Sequence, residues 1–230
     1  MAQAVQINVM SSAATKAAYL ELVPQFEGAS GHTVITQWVP SVQMMNRLTG
    51  DGTADLVIMA SRLIDELIEA GKVVRGSRVD LARSGVGVAV RAGARKPDIG
   101  SLDAFRQALL DAKSIAYSTG PSGIYLVDLF ERMGIAAELK PKIRQVQGEM
   151  VGDVVARGDA EIGFQQVSEL LPIAGISFLG SLPAEIQQVT VFAAALAVNA
   201  RQPDAARALI GFMRSPPAMV VFKRTGMEPA

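Results

Sequence analysis

Apolar and polar positions fall into alternating short blocks along this chain. Val5–Met10 reads as a buried strand, and Ala13–Phe26 carries Ala17, Leu20 and Val23 at helical spacing, with Gly28 and Gly31 beyond its expected end. His32–Val39, rich in β-branched residues, predicts a second strand. Ser41–Thr49 predicts a short helix stopped by Gly50-Asp51-Gly52. Asp55–Ala60 follows as a strand, and Leu63–Ala70 as a helix ending at Gly71. This order is that of βαβ units around a mostly parallel sheet, an α/β fold.

Ser84–Arg91 (SGVGVAVR) departs from the series as a strand of alternating small residues. A second βα series follows: helix Leu102–Ala112, strand Ser114–Tyr117, helix Ser122–Met133, strand Ile143–Gln147, helix Met150–Arg157 and strand Glu161–Gln165. Gln188–Val198 predicts a long strand, and helices Pro203–Arg214 and Pro217–Arg224 finish the chain. One internal echo links the halves. Gly52-Thr53-Ala54-Asp55-Leu56 and Gly158-Asp159-Ala160-Glu161-Ile162 each follow a helix and open a strand with an acid before an apolar run. Helix–Gly–strand connections are common, yet the echo fits two similar α/β lobes. The expected division is residues 1–81 plus 195–230 as one lobe and 86–190 as an inserted second. The crossovers are expected near 82–91 and 186–197.

Composition narrows the function classes. With 22 basic and 22 acidic residues the formal charge is zero, which removes the electrostatic case for nucleic acid or an anionic membrane surface. No Cys is present, so disulfides, thiol nucleophiles and zinc–thiolate sites are excluded. A single His, His32, excludes a two-His metal site, and no metal or other cofactor is expected. The longest apolar run, Val189–Val198, is too short for the roughly 20 residues that span a bilayer. The start, Met1-Ala2-Gln3-Ala4 running into a strand, suits a secreted chain that has lost its signal peptide, and a cytosolic chain could begin in the same way.

In parallel sheets ligands bind beyond the carboxyl ends of the strands, where helix N-termini present unpaired N–H groups. Five such junctions can be read here: Ser11-Ser12 with Lys16 about one turn later, Pro40-Ser41, Ser118-Thr119-Gly120-Pro121-Ser122-Gly123, Gly148-Glu149, and Gln165-Gln166. Hydroxyls, amides and glycines dominate, a composition suited to holding an anion by neutral donors. Capping explains any one junction, since Ser and Thr are preferred N-caps. Two junctions in each lobe make a ligand site a comparable explanation. Lys16 opposes the helix dipole, a placement easier to understand beside an anion.

Other motifs fail. Gly85-Val86-Gly87 lacks the third Gly of a dinucleotide fingerprint, no Walker A sequence occurs, and the aspartates match no EF-hand loop. His32 reads as a surface residue, and Trp38, Met44 and Met45 as packing.

Three segments carry a resemblance: Gly52-Thr53-Ala54-Asp55-Leu56-Val57-Ile58, Pro121-Ser122-Gly123-Ile124-Tyr125, and Ala156-Arg157-Gly158-Asp159-Ala160-Glu161-Ile162-Gly163-Phe164. In this order and spacing the chain resembles the type II periplasmic solute-binding proteins of the molybdate-binding class. The resemblance implies two α/β lobes joined by two crossover strands, ligand in the interlobe cleft, a periplasmic location, and a monomer serving an ABC permease. Carried over by position, ligand contacts fall on Ser11 or Ser12, Ser41, Ser122 with Gly123, Gly148 and Gln166. Ser12, Ser41, Ser122 and Gln166 are then expected to approach one another across the lobes.

Two positions depart from the molybdate pattern: Gly148 stands where that class usually has Val, and Gln166 where it has Tyr. A Gln amide both donates and accepts, whereas a deprotonated tetrahedral oxyanion only accepts. A roomier ligand, a small carboxylate, is therefore expected. The chain also resembles a neighbouring branch that includes aconitate isomerase. For that chemistry Lys16, Arg62, Ser11 and Ser41 are candidate donors and Glu149 a candidate base, although a first-turn Glu also simply suits the helix dipole.

Overall fold

In the strand Leu56–Ala60 every side chain is buried, which requires cover on both faces of its sheet. The computed structural model, which describes residues 3–230, provides that cover. Met1 and Ala2, part of the start discussed above, lie outside the described residues. The elements in chain order are β1 (Gln6–Ser11), α1 (Lys16–Ser30), β2 (Thr33–Trp38), α2 (Ser41–Thr49), β3 (Leu56–Ala60), α3 (Ser61–Glu69), β4 (Val79–Arg91) and α4 (Leu102–Asp111). Next come β5 (Ile115–Ser118), α5 (Pro121–Arg132), α6 (Ala136–Leu139), β6 (Ile143–Val146), α7 (Val151–Arg157), β7 (Ile162–Gln166) and α8 (Val167–Leu170). The chain ends with β8 (Ile176–Ser181), β9 (Val189–Leu196), α9 (Pro203–Met213), α10 (Pro216–Arg224) and β10 (Glu228–Pro229).

The chain divides into two compact units. One comprises the described residues up to Ser84 together with Val191–Ala230, and the other is Gly85–Thr190. In the first unit β2, β1 and β3 run parallel, in register Ser11↔Trp38 and Ser11↔Ile58, and β9 pairs antiparallel to β3. Strand alternation sorts the side chains into two cores. Ile7, Val9, Leu56, Ile58, Phe192 and Ala194 face α1, α9 and α10, whereas Val57, Met59, Ala193 and Ala195 face α2 and α3.

In the second unit the strand order is β8-β4-β7-β5-β6, with β5, β6 and β7 parallel and β4 antiparallel to both β7 and β8. Val86, Val88, Val90, Ile162 and Phe164 pack against α4 and α5, with Phe105 edge-on to Phe164 at 5.9 Å. The opposite face is closed by α7 through Val151, Val154 and Val155. That approach depends on Gly163, because a Cβ there would lie 2.4 Å from Val155 Cγ2.

Several element boundaries differ from the reading of the sequence. The segment Ala13–Thr15 is a 3₁₀ turn, and α1 continues through Pro24 and Gly28 to Ser30. It stops at Gly31, whose φ of 74° is left-handed. β4 begins at Val79, five residues earlier than expected, and β8, α6, α8 and β10 were not anticipated. β8 evades a period-two reading because its pairing with β4 shifts register between Val88 and Ala89 and Gly180 has a φ of 132°.

Candidate functional site

Each unit presents its own set of strand carboxyl ends. In the first unit the connection after β1 is pinned from both sides. The Ser12 N–H donates to Ile58 O at 2.9 Å, and the Val39 N–H donates to Ser11 O at 3.0 Å. The two adjacent serines then part company. Ser11 Oγ donates to Ser12 O and lies 3.2 Å from Thr15 Oγ1, so its hydrogen bonds are internal. Ser12 Oγ is buried and has no hydrogen-bond partner. Ser12 caps the 3₁₀ turn in extended geometry, yet its side chain makes no capping bond. Capping therefore does not account for this hydroxyl.

Ser41 is buried as the first residue of α2, after Pro40, so the α2 N-terminus follows directly on β2. Lys16, the first residue of α1, places Nζ over the Trp38 ring, 5.4 Å from its centroid. Arg62, an exposed side chain of α3, gives its guanidinium to Glu66 at 2.5 Å.

In the second unit, Ser122 repeats the behaviour of Ser12. It lies in the first turn of α5, 1% exposed, and its Oγ has no hydrogen-bond partner. Gly123 beside it is required by packing, since a Cβ would lie 1.6 Å from Ser118 O. The bare backbone lets the α5 N-terminus sit against the end of β5. Ser118 Oγ steadies the turn by accepting the Gly120 N–H at 3.2 Å. Gly148 has a φ of 83°, so the backbone itself favours glycine there, independently of any gain in ligand volume. Glu149 is exposed and paired with Arg157 at 2.7 Å, and Arg157 also reaches Asp159. The Glu149 carboxylate is thus held by a cation.

Gln165 and Gln166 occupy successive strand positions with separate tasks. Gln165 Oε1 accepts the Val151 N–H at 2.9 Å, capping α7 from β7. The Gln166 Nε2 donates to Thr190 Oγ1 at 3.2 Å, from a side chain that is 1% exposed. The sequence reading missed Glu169, half-buried in α8 three residues on. Burial pushes its carboxyl up to about 7, against the opposing hydrogen bonds of the Gln166 backbone and the Gln165 side chain. The reading also missed Thr15 and Thr190, whose hydroxyls engage Ser11 and Gln166.

The acids of the internal echo are structural. Asp55 accepts N–H groups from Asn8, Arg201 and Gln202 at 2.6–2.8 Å. Glu161 accepts the Lys113 N–H at 2.8 Å. Asp55 ties the start of β3 to β1 and to the start of α9, and Glu161 ties the start of β7 to the start of β5. His32 Nδ1 accepts the Val5 N–H, likewise a structural bond. Among the described residues no cluster of His, Asp or Glu could hold a metal ion, and no helix is long and apolar enough to cross a membrane.

Comparison with known proteins agrees with this architecture. The chain is 39% identical over 229 residues to an aconitate isomerase from Pseudomonas sp, covering 97% of this chain and 87% of that protein. It is 27% identical over 237 residues to the molybdate-binding protein ModA of Azotobacter vinelandii, covering 98% and 90%. The solved periplasmic molybdate-binding protein of Azotobacter vinelandii superposes with a TM-score of 0.80 at 20% identity, over 96% of this chain and 98% of that one. That match shows the α/β solute-binding fold. The family model described as bacterial extracellular solute-binding protein matches residues 7–228, and the chain belongs to that family.

Proposed function

We propose that this protein captures a small di- or tricarboxylate in preference to a tetrahedral oxyanion such as molybdate. The observation that carries the reading is the pair of hydroxyls on Ser12 and Ser122, buried at strand-to-helix junctions with no hydrogen-bond partner. A buried hydroxyl left unpaired costs about 1–3 kcal/mol, so two of them at helix starts fit donors reserved for a ligand. Neutral donors and helix N-termini suit an anion. The carboxylate preference rests on Gln166, whose amide both donates and accepts, and on the charge of Lys16. In this reading Ser41 completes the donor set. The protein works in the periplasm as a monomer and hands its cargo to an ABC-type permease.

A second reading is favoured by one observation, the 39% identity to a relative named aconitate isomerase across 97% of this chain. Interconverting the cis and trans acids moves a double bond, which needs a proton acceptor at an acidic C–H and donors for the carboxylates. Glu149 is occupied by Arg157, whereas Glu169, with its carboxyl raised to about 7, is the better match for proton exchange near neutral pH.

Calorimetry on the purified protein with molybdate, tungstate, sulfate, citrate and both aconitates tests the proposal. Heat from a carboxylate, with binding weakened by about 1.5–3 kcal/mol in Lys16→Ala, supports it. Tight molybdate binding indifferent to Lys16→Ala, with no heat from citrate or aconitate, overturns it. Following trans-aconitate by NMR for conversion to the cis acid separates isomerase from carrier.

A further inference from the structure

Trp38 ends β2 directly beside Ser11, in the register that places the Val39 N–H on Ser11 O. Its indole is bracketed by two residues one turn apart on α1. Lys16 Nζ stands over the ring face at 5.4 Å from the centroid. Tyr19 meets the ring edge-on, with centroids 5.3 Å apart and planes at 82°. Tyr19 is itself fixed, being 2% exposed with its hydroxyl 2.6 Å from Thr36 Oγ1 on the same strand as Trp38. A fixed aromatic pair therefore carries the exposed Lys16 over its indole.

We propose that Trp38 is the positioning residue for Lys16, holding the ammonium beside the β1 strand end so that it meets a ligand carboxylate pre-ordered. The inference rests on the carboxylate reading above and deepens it by naming what sets the charge in place. A lysine ammonium is a point charge on a flexible stem, and ordering that stem opposes any ion pair it makes. An indole face attracts a cation without consuming its N–H donors, so the ammonium keeps three donors for an incoming carboxylate. Ordering before the ligand arrives reduces the ordering required on binding. Both residues belong to the first unit, and Lys16 lies four residues after Ser12, whose buried hydroxyl is unpartnered.

The test is calorimetric titration of trans-aconitate into wild type, Lys16→Ala, Trp38→Phe, Trp38→Leu and the Lys16→Ala/Trp38→Leu double variant. Trp38→Leu is expected to weaken binding about three- to tenfold, with Trp38→Phe between it and wild type, following the weaker cation attraction of a phenyl ring. In the Lys16→Ala background, Trp38→Leu is expected to have no further effect, since the lysine is the group it positions. Trp38 is the only tryptophan, so the emission spectrum of the ligand-free protein is expected to change on Lys16→Ala. An equal loss from Trp38→Leu in both backgrounds would show a merely structural role and overturn the inference. Should Trp38→Leu fail to fold, wild-type affinity in Trp38→Phe together with unchanged emission in Lys16→Ala overturns it equally. Absence of heat from wild type removes the carboxylate reading itself, whereas binding without Lys16–Trp38 coupling removes only this inference.

Discussion

The Asp55 carboxylate receives the backbone N–H of Gln202 at 2.8 Å across 147 positions of sequence. The same side chain receives Arg201 N–H and, through its other oxygen, Asn8 N–H. Strand β3, strand β1 and the start of α9 are thereby closed by one buried acid. Asp55→Ala should lower stability by about 3 kcal/mol, since it strands buried donors that had a charged acceptor. Asp55→Asn, which keeps an oxygen acceptor, should cost about half as much. Urea unfolding of the three proteins checks the order.

Two glycines should respond oppositely to the same methyl group. At Gly123 a Cβ would overlap Ser118 O, so Gly123→Ala should destabilise by about 3 kcal/mol and displace the α5 N-terminus. At Gly28, inside α1, a Cβ meets nothing within 4 Å. Gly28→Ala should stabilise by about 0.5–1 kcal/mol, as alanine replaces glycine in a helix. Thermal melts of the two variants read both signs.

Short apolar blocks between turn residues made β3, α2 and the two βα series legible, because Leu56–Ala60 is a continuous apolar run buried on both faces and Ser41–Thr49 is bounded by Pro and Gly. The first helix was expected to end at Phe26, with Gly28 already beyond it. Pro24 and Gly28 are both tolerated in α1, which continues until Gly31 turns left-handed. Candidate site residues were legible as a class, not one by one. Nothing local distinguishes Ser11, whose hydroxyl lies against Thr15, from Ser12, whose hydroxyl has no partner. Gln165 and Gln166 differ only in which neighbour their strand positions reach, Val151 or Thr190. These distinctions come from tertiary contacts, as does the raised carboxyl of Glu169.

Glu169 should impose a pH dependence on stability. Its folded-state value of about 7 lies above the ordinary 4.5, so between these values the native protein binds the proton that the unfolded chain releases. Its contribution is fully present below about 4.5 and is lost as pH rises through about 7. Wild type should therefore lose stability relative to Glu169→Gln across this window. Denaturant midpoints of both proteins from pH 4 to pH 8 measure the difference, and parallel profiles would contradict the assignment.

Under the proposed function, the unpaired hydroxyls of Ser12 and Ser122 are donors for an anionic ligand. Removing an unsatisfied buried hydroxyl should leave the free protein as stable or more stable, because no protein bond is lost. The same removal should weaken the ligand by about 1.5–3 kcal/mol, the range for hydrogen bonds to a charged group. The direct measurement is paired: the melting temperature of ligand-free Ser12→Ala and Ser122→Ala, and calorimetric titration of each with trans-aconitate and molybdate. Unchanged or raised melting temperatures, with affinity for the bound anion reduced in both variants, is the predicted result. Variants that bind every anion as wild type does, or whose only change is lost stability, would contradict it.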